Sequence, residues 1–146
     1  MPTTMFSIDG VSFPHLRVLS CEQTFQILDK DSYRAFAGNM CRNIIGTYYN
    51  YKLKIKPERS FEGMKEYSYL WNLCSTPTES HTIVVPFDAD ATYDATNQRF
   101  HGGYHTTTTF DAYITSGARN MTKYNVNGVD YWGEGEFNFI AMNKAR

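Results

Sequence analysis

The sequence predicts a mainly β protein: a β-sandwich or partly closed barrel with one flanking α-helix at about residues 58–74. Three observations carry this. The run Gly46-Thr47-Tyr48-Tyr49-Asn50-Tyr51-Lys52-Leu53-Lys54-Ile55-Lys56 alternates with the period of a strand, which sends successive side chains to opposite faces. Asp9-Gly10 and Asn127-Gly128 are strong hairpin turns between alternating runs. Only one segment repeats apolar residues at helical spacing. With 146 residues, 42% hydrophobic and 20% charged, the chain suits one globular domain over 1–146, without linker or internal repeat.

Taken in order, Met5-Phe6-Ser7-Ile8 enters the Asp9-Gly10 turn, and Val11-Ser12-Phe13 leaves it. Pro14 ends that piece. Residues 16–28 read as a long extended stretch. Val18, Ser20, Glu22, Thr24, Gln26 and Leu28 lie on one parity, and Cys21, Gln23, Phe25 and Ile27 on the other. Neither parity is purely apolar, so a bulge or a change of environment is expected. Residues 29–32 read as a loop, 33–37 as a short strand ending at Gly38, and 39–45 as ambiguous. In the 46–56 run, Tyr49, Tyr51, Leu53 and Ile55 form a face suited to burial. Tyr48, Asn50, Lys52, Lys54 and Lys56 form the opposite face.

The helix of 58–74 carries an apolar stripe of Phe61, Met64, Tyr67, Ser68 and Trp71, with Glu58 at its positive end and Pro77 blocking extension. His81-Thr82-Ile83-Val84-Val85 is a short strand closed by Pro86. Residues 87–103 read as a long loop or loose hairpin, and 104–114 alternate again, with Thr106, Thr108, Phe110, Ala112 and Ile114 on one face. A last strand over 134–142 places Phe137, Phe139 and Ala141 together.

The formal net charge is -1, so no global charge excess points to nucleic acid or an anionic membrane. No apolar run approaches the ~20 residues of a membrane helix, and membrane insertion is not expected. The N-terminus lacks the basic and apolar regions of a signal peptide. Three cysteines without a CxxC pair point to a reducing cytosol. The outlier is an aromatic content of 16%, with 11 Tyr and 10 Phe. Aromatic residues favour strands and protein interfaces.

Catalytic and metal signatures are weak. Asp88, Asp90, Thr92 and Asp94 alternate like the first ligands of a calcium loop. Tyr93 stands where that loop needs Gly, and Arg99 where it needs Glu. His101 and His105 are four apart, but Gly102 and Gly103 between them argue against a helix. In a strand they would sit about 13 Å apart. There is no Gly-x-Ser-x-Gly elbow, no phosphate loop and no dinucleotide fingerprint. Asn120-Met121-Thr122 fits a glycosylation acceptor without a signal peptide to support its use. The expectation is a non-enzymatic chain with no catalytic residues, cofactor or metal. Lys52, Lys54 and Lys56 form a basic row that suits either a solvated strand face or a surface passing nucleic acid.

Several fragments together resemble small structural proteins of bacteriophage and prophage tail or baseplate clusters. They are Met5-Phe6-Ser7-Ile8-Asp9-Gly10-Val11, then Asn43-Ile44-Ile45-Gly46-Thr47-Tyr48-Tyr49-Asn50-Tyr51, then Trp132-Gly133 and Phe137-Asn138-Phe139-Ile140-Ala141-Met142. The resemblance spans most of the chain but leaves 87–103 uncovered. It implies a fold similar to tail-tube and distal-tail proteins, without an active site. It further implies a homomeric ring, hexameric by analogy, that meets other tail or baseplate proteins and touches DNA only through a tube lumen. The protein would reside in the host cytoplasm during assembly and then in the virion tail. Tyr48, Asn50, Lys52 and Lys54 are then the candidate subunit-interface or lumen-facing residues. Two other readings stay open: a carbohydrate-binding β-sandwich using Trp132, Tyr104, Asp88, Asp90 or Asn97, and a hydrolase assembled from His81, His101 or His105.

Overall fold

The computed structural model describes residues 6–30 and 33–145. The predicted strand start at Met5 and the loop residues Asp31 and Ser32 lie outside these. Asp9 and Gly10 both take positive φ (50° and 81°), the geometry of a tight primed turn. They join β1 (Ser7–Ile8) to β2 (Val11–Ser12). β3 spans Leu16–Asp29, and its register against the next long strand shifts between Val18 and Ser20, where the mixed parity predicts a bulge. β4 (Tyr33–Arg34) and β5 (Met40–Cys41) form a two-stranded ribbon, shorter than the strand expected over 33–37. The alternating run becomes β6, Ile44–Pro57.

The helix α1 runs Phe61–Ser75 rather than 58–74. Ser60 is its N-cap: its backbone is extended (φ -153°, ψ 167°) and its hydroxyl accepts the Gly63 N–H at 3.1 Å. Glu58 therefore precedes the helix, and Glu62 is the acid of its first turn. Pro77 holds Thr76 extended and ends it. The buried face consists of Gly63, Tyr67 and Leu70, with Met64 and Trp71 half-buried beside it. Phe61 is 58% exposed and Ser68 is exposed, so the stripe is rotated from the predicted one. Gly63 is central because a Cβ there would overlap the Glu58 carbonyl.

β7 (His81–Pro86) follows, then a ribbon of β8 (Thr92–Asp94) and β9 (Arg99–His101), which settles 87–103 as a hairpin. β10 runs Thr107–Val126 and β11 runs Val129–Ala141, so this last hairpin is far longer than the alternation over 104–114 and 134–142 suggests.

Seven strands make one antiparallel sheet in the order β2-β1-β7-β10-β11-β6-β3. The class is mainly β with one helix, as predicted. The sheet is open, with β2 and β3 as its edges, and α1 covers the face that an opposing sheet would cover in a sandwich. Tyr51, Leu53 and Ile55 of β6, Phe137 and Phe139 of β11, Ile83 and Val85 of β7, and Tyr67 and Leu70 of α1 are each no more than 1% exposed. They form one core on that face.

The sheet is curled. β3 and β7 are four strand spacings apart, roughly 19 Å in a flat sheet. Yet the Gln23 amide on β3 donates to the carbonyl of Phe87, just past β7, at 3.1 Å. It also donates to the Tyr51 hydroxyl at 2.7 Å. Rings close the same end: Tyr49 meets Phe87 at 5.4 Å and Tyr51 meets Phe110 at 5.6 Å between centroids. The result is a trough that does not close into a barrel.

Candidate assembly surface

Two long hairpins outrun the sheet. β11 pairs with β6 only from Tyr51 to Ile55. Residues 44–50 of β6 continue past that ladder with β3 as their only strand partner among the described residues, roughly 24 Å of two-stranded arm. Its base is buttressed by residues 141–145. The Asn50 side-chain oxygen accepts the Ala141 N–H at 3.0 Å, and Ala145 N–H donates to the Thr47 carbonyl at 2.7 Å. In the other hairpin, β11 before Gly135 and β10 beyond Arg119 pair, among the described residues, only with each other, an arm of roughly 20 Å. Tyr51 opposes Phe139 and Ile55 opposes Gly135, so the two arms leave opposite ends of the sheet.

Both arms and the β8–β9 ribbon carry apolar side chains into solvent. On the first arm Phe25 is 68%, Ile44 61% and Phe36 111% exposed. On the second Tyr124 is 74% exposed, and Phe100 of the ribbon 76%. A monomer leaves such groups in water at a cost in hydrophobic free energy.

The four candidate residues lie together on the convex face of β6. Tyr48 and Asn50 are half-buried at the root of the first arm, opposite Gln26 and Thr24 of β3. Lys52 and Lys54 are exposed over the sheet. The lysines do not form a bare row. Lys52 Nζ lies 3.1 Å from Glu136, and its strand neighbours are Glu22 and Asn138. Lys54 stands between Ser20 and Glu136. Glu22 and Glu136 thus offset Lys52 and Lys54, whereas Lys56 stands opposite Arg17 and keeps its charge.

Away from this face, Arg119 at the root of the second arm is stacked between rings. Its guanidinium carbon lies 3.9 Å from the Trp132 ring centre, 4.5 Å from Trp71 and 5.5 Å from Tyr67. Met64 Sδ accepts the Trp132 N–H at 3.5 Å, so α1 props this arm. Burial pushes the Tyr67 hydroxyl up to about 12, against the pull of Arg119. No local motif marks Arg119, because its three rings come from two elements distant in sequence.

The remaining candidates separate. His81, 5% exposed, has both ring nitrogens in hydrogen bonds, Nδ1 with Asp9 at 2.8 Å and Nε2 with Thr78 at 3.1 Å. A cavity of about 280 Å³ beside it is lined by Cys74, whose thiol burial pushes up to about 12. Neither His101 nor His105 lines that cavity. His101 lies 3.7 Å from Asp94 on the β8–β9 ribbon, and the His105 ring lies tilted against Tyr104, 3.9 Å between centroids. Asp88 is occupied by the Thr106 amide (2.9 Å) and Asp94 by Thr96 and Asn97. Among the described residues no three His, Cys, Asp or Glu side chains converge as metal ligands. Of the sugar-stacking candidates, Tyr104 is 76% exposed, while Trp132 is half-buried on Arg119. No helix among the described residues is long and apolar enough to cross a membrane. No protein-family model matches the chain, and no curated protein matches its sequence.

Proposed function

We propose that this chain is a non-enzymatic structural subunit of a phage tail or tail-like particle, in the tube, distal tail or baseplate, that assembles as a homomeric ring. The observation that carries the reading is the pair of arms leaving opposite ends of one sheet with apolar side chains in water. A two-stranded ribbon is marginally stable by itself and gains from a third strand or a packed face. β3 is a 14-residue edge strand at the side of the first arm, a ready template for a neighbour's strand. Tyr, Phe and Met at the arms suit a protein interface. The fragment resemblance supplies the phage-tail context, including hexameric ring order, neighbouring tail or baseplate proteins, assembly in the host cytoplasm and a final place in the virion tail. In this reading the β6 convex face, with Tyr48, Asn50, Lys52 and Lys54, faces a neighbour or a tube lumen. Its near-balanced charge suits DNA passing without sticking.

Sedimentation at several concentrations, followed by negative-stain imaging, tests the reading. Rings, or incorporation into purified tails, are the expected result. A chain that stays monomeric and is absent from purified tails refutes it.

A further inference from the structure

We propose that Thr78 is an activated hydroxyl that accepts a short acyl group from an ester bound in the cleft beside it. This is a site of covalent modification, which the assembly reading neither needs nor excludes.

Three side chains from two distant segments form one hydrogen-bonded line. Asp9 Oδ2 lies 2.8 Å from His81 Nδ1, and His81 Nε2 lies 3.1 Å from Thr78 Oγ1. The Asp9 end is clamped. Asp9 sits in the β1–β2 turn, its own N–H donates to the Thr82 carbonyl at 2.7 Å, and its Oδ1 accepts the Thr82 N–H at 2.9 Å. An ionised carboxylate only accepts, so in the neutral His81 ring the proton is on Nδ1 and Nε2 keeps its lone pair. The Thr78 O–H then donates to Nε2. A hydroxyl on a base, with that base oriented by an acid, is the arrangement that activates an alcohol for attack on a carbonyl.

The surroundings suit an ester. His81 is buried and Thr78 is exposed, so the base is sheltered while the nucleophile stays within reach. Both line the cleft of about 280 Å³, to which Trp71, Ile114 and Phe137 bring apolar surface and Ser75 and Ser116 hydroxyls. An apolar cavity of about 150 Å³ accepts benzene, so a short acyl chain has room here. The mixed lining and the open side suit the polar ester linkage and the exit of its alcohol. On β10, Thr115 and Ser116 stand against Asn138 alone, a bulge at the wall of this cleft. A bulge takes backbone groups out of the ladder, and N–H groups so released can stabilise a carbonyl oxygen as it becomes negative.

In the step itself, Thr78 Oγ1 bonds to the ester carbonyl carbon while its proton passes to His81 Nε2. The tetrahedral intermediate then breaks its bond to the leaving oxygen, and His81 returns the proton to that oxygen. The products are acylated Thr78 and a free alcohol, with His81 neutral again.

The test treats the full chain with a fluorophosphonate, which phosphonylates activated hydroxyls with loss of fluoride, and maps the adduct by peptide mass spectrometry. One adduct, on Thr78, is expected, and phenyl acetate should leave an acetyl group on the same residue. Thr78→Val should lose both, and Thr78→Ser should react at least as fast, since the hindering methyl is gone. His81→Gln should slow labelling by about a hundredfold or more. Asp9→Asn, which acts only through the imidazole, should slow it by about tenfold or more. Thr78 is exposed, so its Val and Ser variants serve even where a change at His81 unfolds the chain. A wild-type chain unlabelled at Thr78, or one labelled no faster than His81→Gln, overturns the proposal. Equal labelling of Asp9→Asn overturns the part given to Asp9. Neither result touches the assembly reading, which the oligomeric state tests separately.

Discussion

Gly135→Ala tests how tightly the helix is fitted to the sheet. Gly135 is on β11 opposite Ile55, and a Cβ there would overlap the Tyr67 hydroxyl and press on Phe137. Tyr67 is 0% exposed on the buried face of α1, so it has no room to withdraw. Overpacking of a core costs about 1–3 kcal/mol, and this overlap belongs at the upper end, about 3 kcal/mol. For a domain of this size that lowers the melting temperature by roughly 6–12 °C. The Tyr67 hydroxyl is buried with no hydrogen-bond partner among the described residues. Tyr67→Phe should therefore be neutral or stabilise by up to about 1 kcal/mol. It also removes the atom that the new methyl strikes. In the double variant about 2 kcal/mol of the loss should return, the remainder reflecting the approach to Phe137. Urea denaturation of all four proteins, with m-values compared, gives the cycle. The reasoning is refuted if Gly135→Ala lies within about 0.5 kcal/mol of wild type, or if Tyr67→Phe restores nothing.

Arg119→Ala should destabilise by about 1–2 kcal/mol and red-shift the tryptophan emission, since the guanidinium lies on both Trp71 and Trp132. Arg119→Lys should recover only part, because an ammonium has no plane to stack. Ser60→Ala should cost about 1 kcal/mol in urea melts through loss of the Gly63 cap. Burial alone would raise the Asp9 carboxyl, but hydrogen bonds from His81 and the Thr82 amide pull it below its ordinary 3.8. Its contribution is present above that value and is lost as pH falls below it, so the stability gap to Asp9→Asn should shrink in acid melts. The Glu66 carboxylate beside His15 raises the imidazole above 6.5, so that contribution holds below 6.5 and fades as pH rises through the raised value. Glu66→Gln should flatten this dependence in melts across neutral pH.

Local chemistry was legible in the sequence, and distant contact was not. Asp9-Gly10 and Asn127-Gly128 announce their turns because both residues of each pair take positive φ, which their side chains tolerate. The alternation of Tyr49, Tyr51, Leu53 and Ile55 placed the β6 core face correctly, since burial follows strand period. The helix stripe was misjudged in two ways. Phe61 is apolar but sits in the first turn beyond the sheet, whereas Gly63 is buried for its missing side chain. The length of β10 escaped notice because beyond Ile114 its few apolar residues, Ala118, Met121, Tyr124 and Val126, fall at irregular spacing and are exposed, so no face alternates. At the candidate surface, the lysine row was visible as a period, but the acids beside Lys52 and Lys54 were not. Glu136 comes to Lys52 through strand order, which no local pattern encodes.

The bond from Gln23 to the Phe87 carbonyl sets where the fold breathes. It is an exposed contact across the mouth of the trough, beside the Tyr49–Phe87 ring pair, and worth about 0.5–1.5 kcal/mol net. Beyond Tyr51 the β3–β6 ladder has no β11 beside it, so with this bond released residues 23–29 of β3 open more readily than the part of β6 held by β11 and α1. Hydrogen exchange should then rise along β3 between residues 23 and 29 long before it reaches Leu53 or Phe137. The edge on which a neighbour's strand would settle is therefore the part of the sheet with the least resistance to opening.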